Sequence, residues 1–286
     1  MAKPDLFDEI IECLKMQAIL TPHTDVGEEI LREFFTDAVK PVSVRQPSVA
    51  PGMQQRASAL PVSKPFQAPP RQPSVPPVPS VRSVLPGQHS VLGDPSKMRW
   101  DEIAAAVASC QGCKLCRTRT NTVFGDGDPH AKLMFLGEAP GADEDLQGLP
   151  FVGRAGELLT RMINAMQFNR AQVFIANTVK CRPPNNRNPE PDETAACRPF
   201  ILRQIELIQP EVIVMLGAVP LRLLFPEIAG GITRLRGHWM NYNGIRVMPT
   251  FHPAYLLRNP AAKADVWKDL QQVMGVFGKK HVAVRR

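Results

Sequence analysis

No apolar run in these 286 residues approaches the ~18 needed to cross a membrane. A basic leader followed by an apolar stretch is also missing. The chain opens MAKPDLFDEIIECLK, which is acidic and amphipathic. These absences predict a soluble, cytoplasmic chain with no membrane partner. In that reducing compartment its six cysteines stay reduced, and clustered ones read as metal ligands rather than disulfides. Acid is nearly missing from residues 41 to 97, where Asp94 stands alone among many prolines. Such a stretch has no regular apolar face and few backbone donors. It is expected to be a disordered, partly extended basic linker. RQPSV occurs in it twice, from Arg45 and from Arg71, a repeat that fits compositional drift or a recognition motif.

What is present falls on either side of that linker. Residues 1–40 hold two short amphipathic patterns. Leu6, Ile10 and Leu14 share one face in the first, and Val26, Ile30, Leu31 and Phe34 repeat the pattern in the second. Cys13 reads as a small apolar residue of the first. From Met98 to about residue 280 the pattern is globular. Strand-like runs occur at 132–137, 172–177, 211–217 and 245–250, with helical patterns at 154–166, 192–208 and 219–224 and from about Ala261. Apolar strands alternating with helices predict an α/β fold: a three-layer α/β/α sandwich around a mainly parallel central sheet. Ligands of such sheets bind beyond the carboxyl ends of the strands. Gly137, Asn177, Gly217 and Thr250 each end a strand, so one rim should carry the chemistry.

Three rim segments stand out. GEAPGADEDLQGLPFVGRAGELL opens like a phosphate loop but lacks the Gly-Lys-Ser/Thr ending. Its acids Glu138, Asp143, Glu144 and Asp145 would repel a phosphate and suit a water molecule or a neutral ligand. Phe151 fits either the core or a platform for a flat ring. NTVKCRPPNNRNP places Asn177 at a strand end, as a turn residue or as a planar amide matched to a pyrimidine edge. PTFHPAYLLRNP places His252 before a proline in a loop, as a structural or a catalytic group. Leu256 and Arg258 follow, suited to a wedge in a base stack and a phosphate contact. The net charge of +7 fits a polyanionic partner or simply a basic solvated face.

The cysteines form a second constellation. Cys110 and Cys113 make a CxxC pair, with Cys181 and Cys197 far along the chain. Four thiolates fit zinc or an iron–sulfur cluster, and spacing does not choose. Cys116 makes a second CxxC with Cys113.

With GEAPGADED, GLPFVGRAG, NTVKCRPPNNRNP, RGHW and HPAYLLRNP in order, the chain resembles the family-four, iron–sulfur uracil-DNA glycosylases over roughly residues 107 to 275. The resemblance implies hydrolysis of the N-glycosidic bond of a uracil flipped out of single- or double-stranded DNA, leaving an abasic site for base excision repair. It implies that Phe151 stacks on the base, Asn177 reads its edge against cytosine, and Phe151 with the loop leaves little room for thymine's methyl. Glu138 and Ala139 would line the pocket, and His252 would meet charge developing on O2. Other branches carry an acid or amide at Ala139, so the water-positioning acid has to come from elsewhere: Glu144 first, Glu138 second. The resemblance favours a [4Fe–4S] cluster on Cys110, Cys113, Cys181 and Cys197. Alignment of RTNTVFG leaves Cys116 as an extra thiol. The arginine-rich insertion of a DNA-crosslinking relative is absent, and no lysine stands out as a Schiff-base nucleophile. The competing expectation is a catalytically inactive, metal-stabilised DNA-binding module. A place at the nucleoid follows from the substrate. Residues 4–37 are expected to dock a replication or repair protein, or to fold back on the catalytic domain or pair with each other.

Overall fold

The computed structural model describes Phe34 and residues 94–279. The expected linker up to residue 93, Cys13 and all of the N-terminal pattern except Phe34 lie outside the described residues.

Apolar runs too short for helices become strands, and each divides its side chains between two faces. Leu133 and Phe135 of β2 (Leu133–Gly137) enter one core, while Met134 and Leu136 enter the other. In β4 (Val212–Leu216), Val212, Val214 and Leu216 join the first, and Ile213 and Met215 the second. Burial on both faces explains why these strands read as continuous apolar runs rather than as alternation. Together with β3 (Phe174–Asn177) and β6 (Ile245–Thr250) they form the parallel centre of a six-stranded sheet, ordered β1-β3-β2-β4-β6-β5. The edges are short and antiparallel: β1 (Asp126–Gly127) and β5 (Met240–Tyr242).

Helices cover both faces. The helices α3 (Arg154–Ala165), α7 (Pro253–Arg258) and α8 (Lys263–Val276) contribute to the first core. The second core takes α4 (Pro191–Ile208) and α5 (Ala218–Leu224). Before these in sequence come α1 (Trp100–Ala108) and α2 (Ala142–Gln147), and α6 (Ile232–Leu235) lies between α5 and α7. The three-layer α/β/α expectation holds for this part of the chain.

Regular structure among the described residues begins before Met98, in a 3-10 turn at Pro95–Lys97. The Asp94 carboxylate caps it by accepting from Ser96 N–H at 3.0 Å, and Arg203 of α4 donates to the Met98 carbonyl at 2.7 Å. Phe34 is helical and wholly buried in the first core, its ring 6.1 Å from that of Trp267 on α8. One residue of the N-terminal apolar stripe is therefore spent inside the domain.

Candidate active site

The rim assembles as the strand ends predict. Gly137 and Asn177 are register partners at the ends of β2 and β3, and Gly217 N–H donates to the Thr250 carbonyl at 3.0 Å. Glycine is required at 137 because a Cβ there would lie 2.4 Å from Asn177 Oδ1 and 2.5 Å from Phe151 Cζ. The bare Cα lets the amide and the ring meet. Phe151 is almost wholly buried and takes a left-handed backbone, φ 53°, which costs a non-glycine residue on the order of 1–3 kcal/mol. Two residues hold it there. Arg170 donates to the Phe151 carbonyl at 3.2 Å and to the Pro150 carbonyl at 2.9 Å. Gly156 has no Cβ where one would strike the Phe151 carbonyl at 1.9 Å.

Asn177 is buried, and its Oδ1 has no hydrogen-bond partner among the described residues. An unpaired buried acceptor costs about 1–3 kcal/mol, so its retention calls for a ligand. Opposite stands His252, whose ring centroid is 5.6 Å from that of Phe151. It caps α7: its Nδ1 accepts from Ala254 N–H at 3.1 Å. That bond fixes the tautomer, leaving the proton on Nε2 as a free donor. Burial, helped by the nearby Arg258 charge and opposed by Glu144, lowers the histidine to about 4, so the ring is neutral at physiological pH. Arg236 braces the loop. It pairs with Asp269, which also accepts from the Thr250 hydroxyl at 2.6 Å, and it lies over the Phe251 ring at 5.5 Å.

The two candidate acids differ sharply. Glu144 Oε1 accepts from Val152 N–H at 2.9 Å and Gly153 N–H at 3.0 Å, while Oε2 accepts from Gly141 N–H at 3.0 Å. It is a clasp that closes the glycine-rich loop onto the turn after Phe151. Glu138 is half-buried, its carboxyl makes no hydrogen bond within the described residues, and burial raises its pKa. Ala139 lies beside it and packs against the cysteine region.

Cys110, Cys113, Cys181 and Cys197 line one cavity with Arg119 and Lys180, and Cys116 is not in its wall. Burial pushes the Cys181 thiol up to about 11 and the Cys197 thiol up to about 12, and raises Cys113. Donors already face the sulfurs: Arg119 Nη1 at 3.0 Å from Cys181 Sγ, Gly112 N–H at 3.4 Å from Cys110 Sγ and Lys180 N–H at 3.5 Å from Cys197 Sγ. Among the described residues no three His, Cys, Asp or Glu side chains converge as a ready-made ion site. A buried neutral thiol becomes a ligand when a metal cation replaces its proton. The donor set thus fits a thiolate-bound metal group. Ion pairs of Lys114 with Glu190 and Asp192, and of Arg187 with Glu193, fasten the loop after Cys113 and the segment after Cys181 to the start of α4. From Arg119 the chain runs on to Thr120 and Asn121, whose N–H groups donate to the buried Asp145 carboxylate of α2 at 2.9 and 3.3 Å. The cysteine cavity and the acidic loop are therefore stitched together.

The family model of the uracil DNA glycosylase superfamily matches residues 124–271, just over half of the chain. The chain belongs to this superfamily. A type-4 uracil-DNA glycosylase of Thermotoga maritima is 49% identical over 181 residues, 62% of this chain and 94% of that protein. One from Saccharolobus solfataricus is 45% identical over 192 residues, 64% of this chain and 89% of that protein. A type-5 uracil-DNA glycosylase of Pyrobaculum aerophilum is 30% identical over 147 residues, 46% of this chain and 64% of that protein.

In this superfamily member Glu138, Ala139, Phe151, Asn177 and His252 come from the rim segments named in the sequence, and Glu144 clasps the loop beside them. Leu256 departs from expectation. It is fully buried in the first core, because residues 253–258 form a helix packed on α3 rather than a loop. The surface wedge assigned to it is withdrawn. Arg258 is exposed as expected, and Tyr255 is the exposed apolar side chain of that helix. Sequence reasoning missed Arg119, Arg170 and Gly156. Arg119 opens the RTNTVFG stretch used to place the cysteines, a signal that was available. Arg170 carried none, since its acceptors are backbone carbonyls 19 and 20 residues away. No described helix is long and apolar enough to cross a membrane.

Proposed function

We propose that this chain is a monofunctional uracil-DNA glycosylase of the type-4 kind. The observation that carries the reading is the buried, unpartnered Oδ1 of Asn177 beside the Phe151 ring. A uracil turned out of the helix stacks on Phe151 and pairs its edge with the Asn177 amide. His252 Nε2–H donates to O2, where negative charge collects as the N1–C1′ bond breaks and N1 keeps the electron pair. A neutral donor stabilises that charge without first protonating the base. Water then bonds to C1′. Glu138 receives its hydrogen, since its oxygens are unengaged, while those of Glu144 hold three N–H groups. This reverses the order in which the two acids were ranked from sequence. Arg258 meets a phosphate beside the site. Incubation of the protein with a uracil-containing oligonucleotide, followed by alkali, should cleave the strand at the uracil. An intact strand would instead indicate a catalytically inactive DNA-binding module.

The same reading places a [4Fe–4S] cluster on Cys110, Cys113, Cys181 and Cys197. The four thiols line one cavity, and the likeness to the iron–sulfur type-4 glycosylases is what favours the cluster over zinc. The bound group would pin residues 110–113 to 181 and to α4, and takes no part in hydrolysis. The purified protein should be brown and carry iron and sulfide. Stoichiometric zinc after anaerobic preparation would reject the cluster. The chain acts at the nucleoid, where its substrate lies. The stripe of Leu6, Ile10 and Leu14 docks a replication or repair protein, with Phe34 as the anchor on the domain. Deleting residues 1–33, which leaves Phe34 and the Asp94–Lys97 turn in place, should spare excision on short oligonucleotides, and loss of that activity would end the docking idea.

A further inference from the structure

Lys180 lies three residues after Asn177 and next to Cys181, yet the reaction above gives it no task. Its side chain is 2% exposed. Nζ donates to the Gln204 Oε1 at 2.6 Å, the Asn177 main-chain carbonyl at 3.0 Å and the Phe124 carbonyl at 3.1 Å. Gln204, also wholly buried, donates in turn to the Phe124 carbonyl at 3.1 Å. Its nitrogen therefore meets three oxygens, and none belongs to a carboxylate. A buried polar nitrogen held only by neutral acceptors is costly to take from water, so what it holds matters.

It holds the point where β3 leaves the sheet. The Asn177 side chain makes no hydrogen bond within the described residues, and its Oδ1 is left open. With no hydrogen bond of its own within the described residues, the amide is aimed by its backbone and by the packing around it. That backbone is fixed from two sides. Thr178 donates through both N–H and Oγ1 to the Gly137 carbonyl at 2.9 Å, and Val179 N–H donates to the Glu138 carbonyl at 3.1 Å. Lys180 takes the remaining acceptor, the Asn177 carbonyl itself.

We propose that Lys180 is a positioning residue for base reading: its side-chain nitrogen orients the peptide after Asn177 and so points the Asn177 amide into the pocket. This rests on the reading of Asn177 as the uracil-binding group. Lys180 also lines the cysteine cavity, where its main-chain N–H faces Cys197 Sγ at 3.5 Å, so the test has to tell the two contributions apart.

The test uses the full, iron-loaded protein and free uracil as a competitive inhibitor of excision. Lys180→Met combined with Gln204→Met replaces the network by apolar groups of similar shape. The expected result is uracil inhibition weakened about ten-fold, equivalent to ~1.4 kcal/mol. Binding of an abasic-site duplex, which presents no base, should stay within about two-fold. A purely structural role would lower the melting temperature and leave uracil inhibition alone, and that outcome overturns the proposal. So does a loss of uracil affinity that only tracks lost iron. Should the double variant not fold, Gln204→Ala, which leaves Lys180 two acceptors, should weaken uracil inhibition roughly two- to three-fold, and no change there also overturns it. Asn177→Ala runs alongside. If it too leaves uracil inhibition unchanged, the base-reading assignment fails and takes this inference with it. If Asn177→Ala abolishes inhibition while the double variant behaves as wild type, only the role of Lys180 fails.

Discussion

The rim pocket and the cysteine cavity lie a few residues apart along the chain between Asn177 and Cys181, yet they are built on opposite plans. The pocket is finished. Its groups stand on strand ends and a helix cap, each fixed by main-chain hydrogen bonds, and one acceptor is left open for a guest. The cavity is unfinished. Its thiols come from a loop before β1, the segment after β3 and the interior of α4, burial raises those of Cys113, Cys181 and Cys197, and on the proposed reading a metal group completes the site. A preorganised site spends stability to gain rate. A site completed by its metal gains stability on binding it.

That contrast breaks most readily at the pocket. His252→Ala should lower the single-turnover excision rate about 100- to 1,000-fold, the usual cost of one charge-stabilising donor, with little change in DNA affinity. Equal losses in rate and affinity would make the residue a binder instead. At the cavity the effect should appear as stability. Cys181→Ser or Cys197→Ser should lose iron and lower the melting temperature, by roughly 4–8 °C or more for each ~2 kcal/mol lost in a domain of this size. Cys116→Ser should leave both the visible absorbance and the melting curve in place.

The acids sharpen the comparison further. Glu138→Gln should slow the chemical step roughly ten- to 100-fold without unfolding the loop. Glu144→Gln should instead loosen the clasp, raising proteolytic nicking between residues 141 and 153 and lowering the melting temperature. A reversed pattern would return the water-positioning role to Glu144. The pH dependence of His252 has a fixed sign. Its folded value of about 4 lies below the ordinary 6.5, so between those values the unfolded chain binds the proton and the folded protein does not. Stability should fall as pH drops from about 6.5 to 4, and the slope should be shallower in His252→Gln by chemical denaturation. The smallest effect on excision is at Phe34, where alanine should cost ~3 kcal/mol of stability without altering the reaction, the low end for a large buried side chain. An unchanged melting curve would detach the N-terminal stripe from the domain.

The strand ends were legible because apolar runs stop at Gly137, Asn177 and Thr250, residues that break or turn a chain. The candidate rim residues followed from them. The helix after His252 was not legible. Six residues between two prolines give too little length for a period to show, so Leu256 read as exposed when it faces α3. The two edge strands were missed for the same reason, being two and three residues long. Glu144 and Glu138 could not be told apart because the distinction depends on where residues 152 and 153 return in space, not on what either glutamate is.

The arrangement of the rim has a further consequence for how such an enzyme can change. On the proposed assignment, the platform Phe151, the edge-reading amide of Asn177 and the charge-stabilising donor His252 each sit on a different connection between strand and helix: after β2, at the end of β3 and after β6. No two share a loop. A new base preference can therefore be explored by altering the β3 connection alone, with the leaving-group chemistry inherited intact from β6. The parallel sheet acts as a common chassis on which substrate choice and bond cleavage are separately exchangeable parts.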